Sequence, residues 1–210
     1  MSMSSDKKFF KFLGNLPNGQ ELQDIYKKYK NSNESNSFNI NGALRSAYNI
    51  DSDLKNEIDK LNSIFRAKNK SPLTLYRMTS STEFTPSGAE VALNLPFRYP
   101  PFLSTTRNVS VLRKFIPPNG TPTILIIDCP KDTKVALMEG SNNDQTEEEV
   151  LLQSYTEYKI TASQIIEDSN VLQNYLGKDS KLNFCYELKM QITNNSSLNS
   201  SEKEQEFFSF

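Results

Sequence analysis

Three short segments of this 210-residue chain carry side chains that could act together on one substrate. They are Arg77 at the end of the run Leu73-Thr74-Leu75-Tyr76-Arg77, the triplet Ser104-Thr105-Thr106, and the triplet Glu147-Glu148-Glu149 that leads into Val150-Leu151-Leu152. In that order they supply a cation able to pair with an anion in two-pronged fashion, a hydroxyl-rich strand and closely spaced carboxylates. That set suits holding a pyrophosphate while stabilising a sugar that becomes cationic.

Each segment alone has an ordinary reading. Alternation along a strand puts Leu75 and Arg77 on one face and Tyr76 and Met78 on the other, so the guanidinium emerges beside core residues. An isolated strand-end arginine could equally sit in a surface ion pair. Ser-Thr-Thr runs occur at strand ends and helix caps, and Asn108 could cap the helix-like segment Val109 to Phe115. Three consecutive glutamates could be an acidic loop entering a strand. If the strand does extend back to them, period-two geometry puts Glu147 and Glu149 on one face and Glu148 on the other. A register in which Thr146 and Glu148 share the face is also readable.

Composition removes other chemistries. The chain has no histidine, so Ser-His-Asp and Cys-His nucleophiles and His-rich metal sites are excluded, and proton transfer falls to carboxylates, Lys or Tyr. Cys129 and Cys185 each lie in an apolar run and read as buried, inert thiols rather than a disulfide framework or metal cluster. Lys+Arg and Asp+Glu nearly balance, giving a formal charge of −1 and no general basic field towards nucleic acid or membrane. No apolar stretch is long enough to span a bilayer, and the N-terminal residues lack the continuous apolar segment of a secretory signal. The chain is expected to be soluble, monomeric and made in a cytoplasm.

The elements that must position these groups fall into a helical front and a strand-rich centre. Leu22, Ile25, Tyr26 and Tyr29 recur at helical spacing, as do Ala43, Leu44 and Ala47, and then Leu54, Ile58, Leu61 and Phe65, predicting three amphipathic helices. An Asn/Ser-rich break, Asn31 to Ser37, separates the first two, and Asp51 and Asp53 are candidate caps for the third. From Leu73 onward, LTLYRM, PFLST, TILIIDC, KVALM, EVLLQS, YKITA and LNFCYELKMQI are short and rich in β-formers. The expectation is an α+β protein with helices leading: residues 1–19 as an extension, 20–193 as one domain and 194–210 as a polar tail with an apolar tip, FFSF.

The arrangement resembles the arginine-type mono-ADP-ribosyltransferases, the family of bacterial binary actin toxins, Rho-modifying clostridial exoenzymes and related effectors. The resemblance is strongest from Leu73 to Ala162, where ILIIDCPKDTKVALM and EEEVLL reproduce a strand, a Pro-Lys turn, a second strand, a loop and an E-x-E-V-L-L strand. INGALR is similar to a helix of the same family. Two packed antiparallel or mixed β-sheets behind N-terminal helices are implied, with NAD+ as substrate, no metal and a protein acceptor; nucleic acid and membrane are not expected as partners. Arg77 would order the NAD phosphates, although Met78 stands where many members have Gly or a second Arg. Ser104 would fix the rotamer of the catalytic Glu149, with Thr105 and Thr106 completing the hydroxyl strand. Phe115 is placed to stack on nicotinamide, or is a plain core residue. Glu147 would orient and deprotonate an acceptor nitrogen, and Asn142 and Asn143 lie in the acceptor loop. In the family, Gln at the earlier E-x-E position accompanies asparagine acceptors and Glu accompanies arginine, so Glu147 implies arginine.

The implied chemistry is electrostatic. Splitting the nicotinamide–ribose bond leaves an oxocarbenium-like sugar, and one carboxylate at about 4 Å contributes roughly 4 kcal/mol at an effective dielectric near 20, about two to three powers of ten in rate. A glycohydrolase without a privileged acceptor would need the same Arg77, Ser104 and Glu149. A transferase acting on nucleic acid would need a basic track, for which Lys7, Lys8, Lys11, Lys27, Lys28 and Lys30 are available. A non-catalytic binding module would keep the fold and lose part of the site.

Overall fold

The computed structural model describes residues 5–30, 36–46, 50–84, 91–138, 148–195 and 208–209. Four helices lead: α1 (Ser5–Gly14), α2 (Gly19–Lys30), α3 (Asn36–Ser46) and α4 (Ser52–Asn62). Strands β1 (Ala67–Lys68), β2 (Leu73–Ser80), β3 (Pro96–Tyr99) and β4 (Leu103–Thr106) follow, then a 3-10 helix at Val109–Phe115. The remainder is β5 (Pro122–Cys129), β6 (Lys134–Leu137), β7 (Glu149–Leu152), β8 (Thr156–Ile166), α5 (Ser169–Leu176), β9 (Cys185–Asn194) and β10 (Phe208–Ser209). This is the expected α+β class with helices in front. The caps are local: the Asp51 side chain accepts the Leu54 N–H at 2.8 Å to start α4, and Asn108 accepts the Ser110 N–H at 3.1 Å to start the 3-10 turn.

Hydrogen bonds join all the strands into one mixed sheet, ordered β10-β1-β6-β7-β4-β2-β5-β9-β8-β3. Two packed sheets were implied by the resemblance; here they are two halves of one ladder, joined between β2 and β4 by the single pair Tyr76↔Thr106. On one side of that junction β2 pairs with β5 along its whole length, and β5 pairs in parallel with β9. On the other, β4 pairs with β7 from Leu103↔Leu152 to Thr106↔Glu149. Both halves contribute to one apolar core: Leu75, Leu125, Ile127, Leu188 and Met190 from the first, Leu103, Val135, Val150 and Leu152 from the second.

The helices complete that core. Within the stretch 1–19, expected as an extension, Ser5–Gly14 forms α1, whose Phe9 and Leu13 are fully buried in the same cluster as Tyr26 of α2 and Leu137 of β6. Their i, i+4 spacing puts both on one helix face. Tyr26 adds a hydrogen bond to the Leu137 carbonyl at 3.0 Å. Beyond the sheet, Met78, Leu112, Ile124, Leu172, Leu176 and Cys185 form a second cluster under α5 and the 3-10 turn. Cys129 and Cys185 are both buried free thiols, each pushed up to about 11 by burial. Among the described residues no helix is long and apolar enough to cross a membrane.

Because Phe9 has no exposed surface and sits among aromatic neighbours, with Phe12 and Tyr26 rings at 6.2 and 6.0 Å, Phe9→Ala should cost about 3–5 kcal/mol of folding stability. Urea unfolding monitored by circular dichroism measures this directly. A loss below about 1 kcal/mol would show that α1 is not part of the cooperative core.

Candidate active site

Arg77 leaves the sheet where β2 meets β4. Its Nη1 donates to the Ser104 carbonyl at 3.1 Å and its Nη2 to Glu83 Oε2 at 3.5 Å. The Nε–H is buried and has no hydrogen-bond partner among the described residues. The guanidinium is therefore fixed on two edges with donor capacity left over.

Ser104-Thr105-Thr106 divides its hydroxyls by strand alternation. Ser104 Oγ donates to Glu149 Oε1 at 2.6 Å, a short bond of the kind made to an ionised carboxylate. The pair is diagonal across the β4–β7 ladder, since Thr106 stands directly opposite Glu149 and Ser104 opposite Leu151. Thr105, on the other face, is buried and donates to the Val150 carbonyl. Thr106 Oγ1 accepts the Asn108 N–H at 2.9 Å and so closes the turn into the 3-10 helix.

Two residues of the acidic triplet, Glu148 and Glu149, are described. Glu149 is the first residue of β7 and is the carboxylate that meets Ser104. Glu148 lies before the strand with φ 44°, its carbonyl accepting the Arg107 N–H at 3.3 Å and its carboxylate 3.8 Å from Arg107 Nε. A left-handed residue here turns the chain at the entry to β7. Glu147, Asn142 and Asn143 lie outside the described residues.

Arg77, Ser104, Thr105, Thr106, Phe115 and Glu149 all line one cavity of about 680 Å³, within the range of small-molecule sites. Phe115 is 48% exposed on its wall, not in the core, and Pro117 and Pro118 extend that wall. The opposite wall comes from the helical front: Tyr29 of α2, and Phe38, Asn41 and Arg45 of α3. Phe38 is 76% exposed and faces the cavity as a second aromatic. Burial, and then the charge of Glu149, raise the Tyr29 hydroxyl above its ordinary range, with a hydrogen bond to Asn41 and the charges of Arg77 and Arg45 opposing. It stays a neutral hydroxyl beside the carboxylate. Asn41 and Arg45 were within reach of the sequence, since they stand four apart in INGALR and share a helix face. Glu83 had no such signal. It sits in the turn after β2, where Thr79, Tyr99, Arg45 and Arg77 converge on its carboxylate. Burial alone would raise its carboxyl, but the Arg77 charge, the hydrogen bonds from Thr79 and Tyr99, and the Arg45 charge together hold it below the ordinary value. Tyr99 is in turn pushed up to about 12, first by burial and then by Glu83. Among the described residues no group of His, Cys, Asp or Glu could hold a metal ion.

A cation, a hydroxyl-fixed carboxylate and two exposed aromatic rings thus border one cavity. Residues 5–183 match the ADP-ribosyltransferase exoenzyme family, and the chain belongs to it. Solved structures share the fold at low identity. The C3larvin toxin, an ADP-ribosyltransferase from Paenibacillus larvae, is 16% identical with a TM-score of 0.62, over 92% of this chain and 96% of that one. C3stau2 from S. aureus, solved with NAD, is 16% identical with a TM-score of 0.62, over 91% and 96%. The enzymatic component C2-I of the Clostridium botulinum C2 toxin is 17% identical with a TM-score of 0.66, covering 91% of this chain and 48% of that longer one. No curated protein matches the sequence.

The lowered Glu83 carboxyl gives a pH signature. Unfolded, it takes a proton near its ordinary 4.5; folded, it does so only at lower pH. Between those values the unfolded state binds more protons, so stability rises with pH there, is present in full above about 4.5, and is lost as pH falls through the folded value. In urea titrations from neutral pH into acid, the stability gap between the natural chain and Glu83→Gln should narrow below that point. A gap that stays constant would show that this carboxyl is not held low.

Proposed function

We propose that this chain splits NAD+ and transfers the ADP-ribose to an arginine of a protein acceptor. The observation that carries the reading is the 2.6 Å bond from Ser104 to Glu149, which fixes one carboxylate on the wall of the cavity that Arg77 also lines. Family membership, and a neighbour of the same fold solved with NAD, support NAD+ as the ligand.

In this reading the guanidinium of Arg77 takes the pyrophosphate through its remaining N–H groups. Phe115 offers a ring face to nicotinamide. The bond between the ribose anomeric carbon and the nicotinamide nitrogen breaks with its electron pair going to nicotinamide, and Glu149 opposes the positive charge left on the sugar. Ser104 keeps that carboxylate in one rotamer, so little reorganisation is needed as charge develops. The acceptor nitrogen then bonds the anomeric carbon and gives up a proton, the role assigned to Glu147. Asn142 and Asn143 are assigned to acceptor contact on the same grounds as in the family resemblance. No metal is assigned to the site.

The carboxylates are separable by substitution. Glu149→Gln should abolish both NAD splitting and transfer, whereas Glu147→Gln should remove transfer and leave hydrolysis, read out with labelled NAD+, a cell lysate and mass spectrometry of the modified residue. Greater damage from Glu148→Gln, or ADP-ribose mapped to nucleic acid or to a side chain other than arginine, would overturn the assignment. NAD consumption that is the same with and without acceptor protein would make the chain a glycohydrolase.

Ser104→Ala removes one hydrogen bond to an ionised partner, worth about 1.5–3 kcal/mol, and should slow NAD splitting roughly tenfold or more. The same loss should lower the melting temperature by several degrees. Full activity in Ser104→Ala would mean that Glu149 is oriented by other groups.

A further inference from the structure

Two arginines, Arg45 of α3 and Arg77 of β2, line the same cavity although they come from different layers of the fold. Like charges brought together need a counterion, and one carboxylate serves both. Glu83 Oε1 lies 3.3 Å from Arg45 Nη2, and Oε2 lies 3.5 Å from Arg77 Nη2. Each oxygen also accepts a hydroxyl: Oε1 from Tyr99 of β3 and Oε2 from Thr79 of β2. The Glu83 side chain is 10% exposed. Its turn is tied down by the Glu83 N–H on the Ser80 carbonyl at 3.0 Å, the Ser81 N–H on Thr121 at 2.9 Å, and Phe84 packed on the Tyr99 ring at 5.0 Å.

The side of approach decides between a clamp and a competitor. Glu83 does not line the cavity that holds Glu149; it lines a neighbouring one of about 530 Å³, on which Arg45 and Arg77 also border. The carboxylate therefore engages the arginines from behind. It occupies one N–H of each; with Nη1 of Arg77 also donating to the Ser104 carbonyl and its Nε–H buried, the second N–H on each terminal nitrogen of Arg77 is left for the main cavity. We propose that Glu83 is the positioning residue of the site's anion-binding half, holding Arg45 and Arg77 side by side with their remaining donors turned towards the ligand. The proposal rests on the reading of that cavity as the NAD site. Without this counterion the two side chains would repel and swing apart, and the anion would have to order them at its own cost.

Steady-state NAD splitting and NAD+ calorimetry on the natural chain and Glu83→Gln test this, with thermal melts alongside. Glu83→Gln keeps the shape and one acceptor oxygen but loses the charge; KM and Kd for NAD+ should rise about tenfold, and kcat should fall by much less. In an Arg45→Ala, Arg77→Ala background the same change should add little, because nothing remains for Glu83 to hold. A natural chain that neither binds nor splits NAD+ would overturn the functional reading, and this role with it. A natural chain that binds NAD+ equally well with and without Glu83→Gln would overturn the role of Glu83 alone. So would a fall in kcat with KM unchanged, the mark of a merely lowered folded fraction. If Glu83→Gln does not fold, Tyr99→Phe decides: loss of one donor to Glu83 should raise KM two- to threefold, and an unchanged KM would overturn the proposal.

Discussion

The site depends on a thin seam in the sheet. Strands β2 and β4 share only the pair Tyr76↔Thr106, so their backbones must part on either side of it. The parting leaves room at the seam for side chains, and Arg77, Ser104 and Thr106 stand there. The Arg77 guanidinium reaches across it to the Ser104 carbonyl, satisfying an acceptor that a fuller β2–β4 ladder would have paired with backbone. An open seam, a cationic bridge and a cavity are one geometric fact seen at three scales.

Charge is arranged on either side of that seam. Glu149 stands at the start of β7, fixed by Ser104, while the two arginines are gathered on the α3 side by Glu83. Arg45, Arg77 and the Glu149 carboxylate thus border the same cavity. With no histidine in the chain, proton movement is left to carboxylates, Lys or Tyr; the raised Tyr29 and Tyr99 are neutral at pH 7, and Tyr99 donates to Glu83.

Much of this was legible in the sequence, for local reasons. The β-rich runs from Leu73 became β2, β4, β5, β6, β7, β8 and β9, and Asp51 and Asn108 cap what their positions suggested, because capping and alternation are short-range. Residues such as Glu83 were not legible: its partners Arg45, Thr79, Arg77 and Tyr99 are gathered by tertiary folding, and no spacing rule connects them. The helix α1 was missed because its charged residues mask a narrow apolar face of Phe9 and Leu13. Glu148, at the entry to β7, takes a left-handed backbone that side-chain types do not announce.

The parallel pairing of β5 with β9 has a consequence in time as well as space. The two strands meet only after β6, β7, β8 and α5 have been laid down between them, so this contact closes a long loop against chain entropy. Antiparallel neighbours such as β8 and β9 can zip early; the centre of the sheet cannot. Such non-local order places the chain among slow folders, reaching the native state in milliseconds to seconds rather than microseconds.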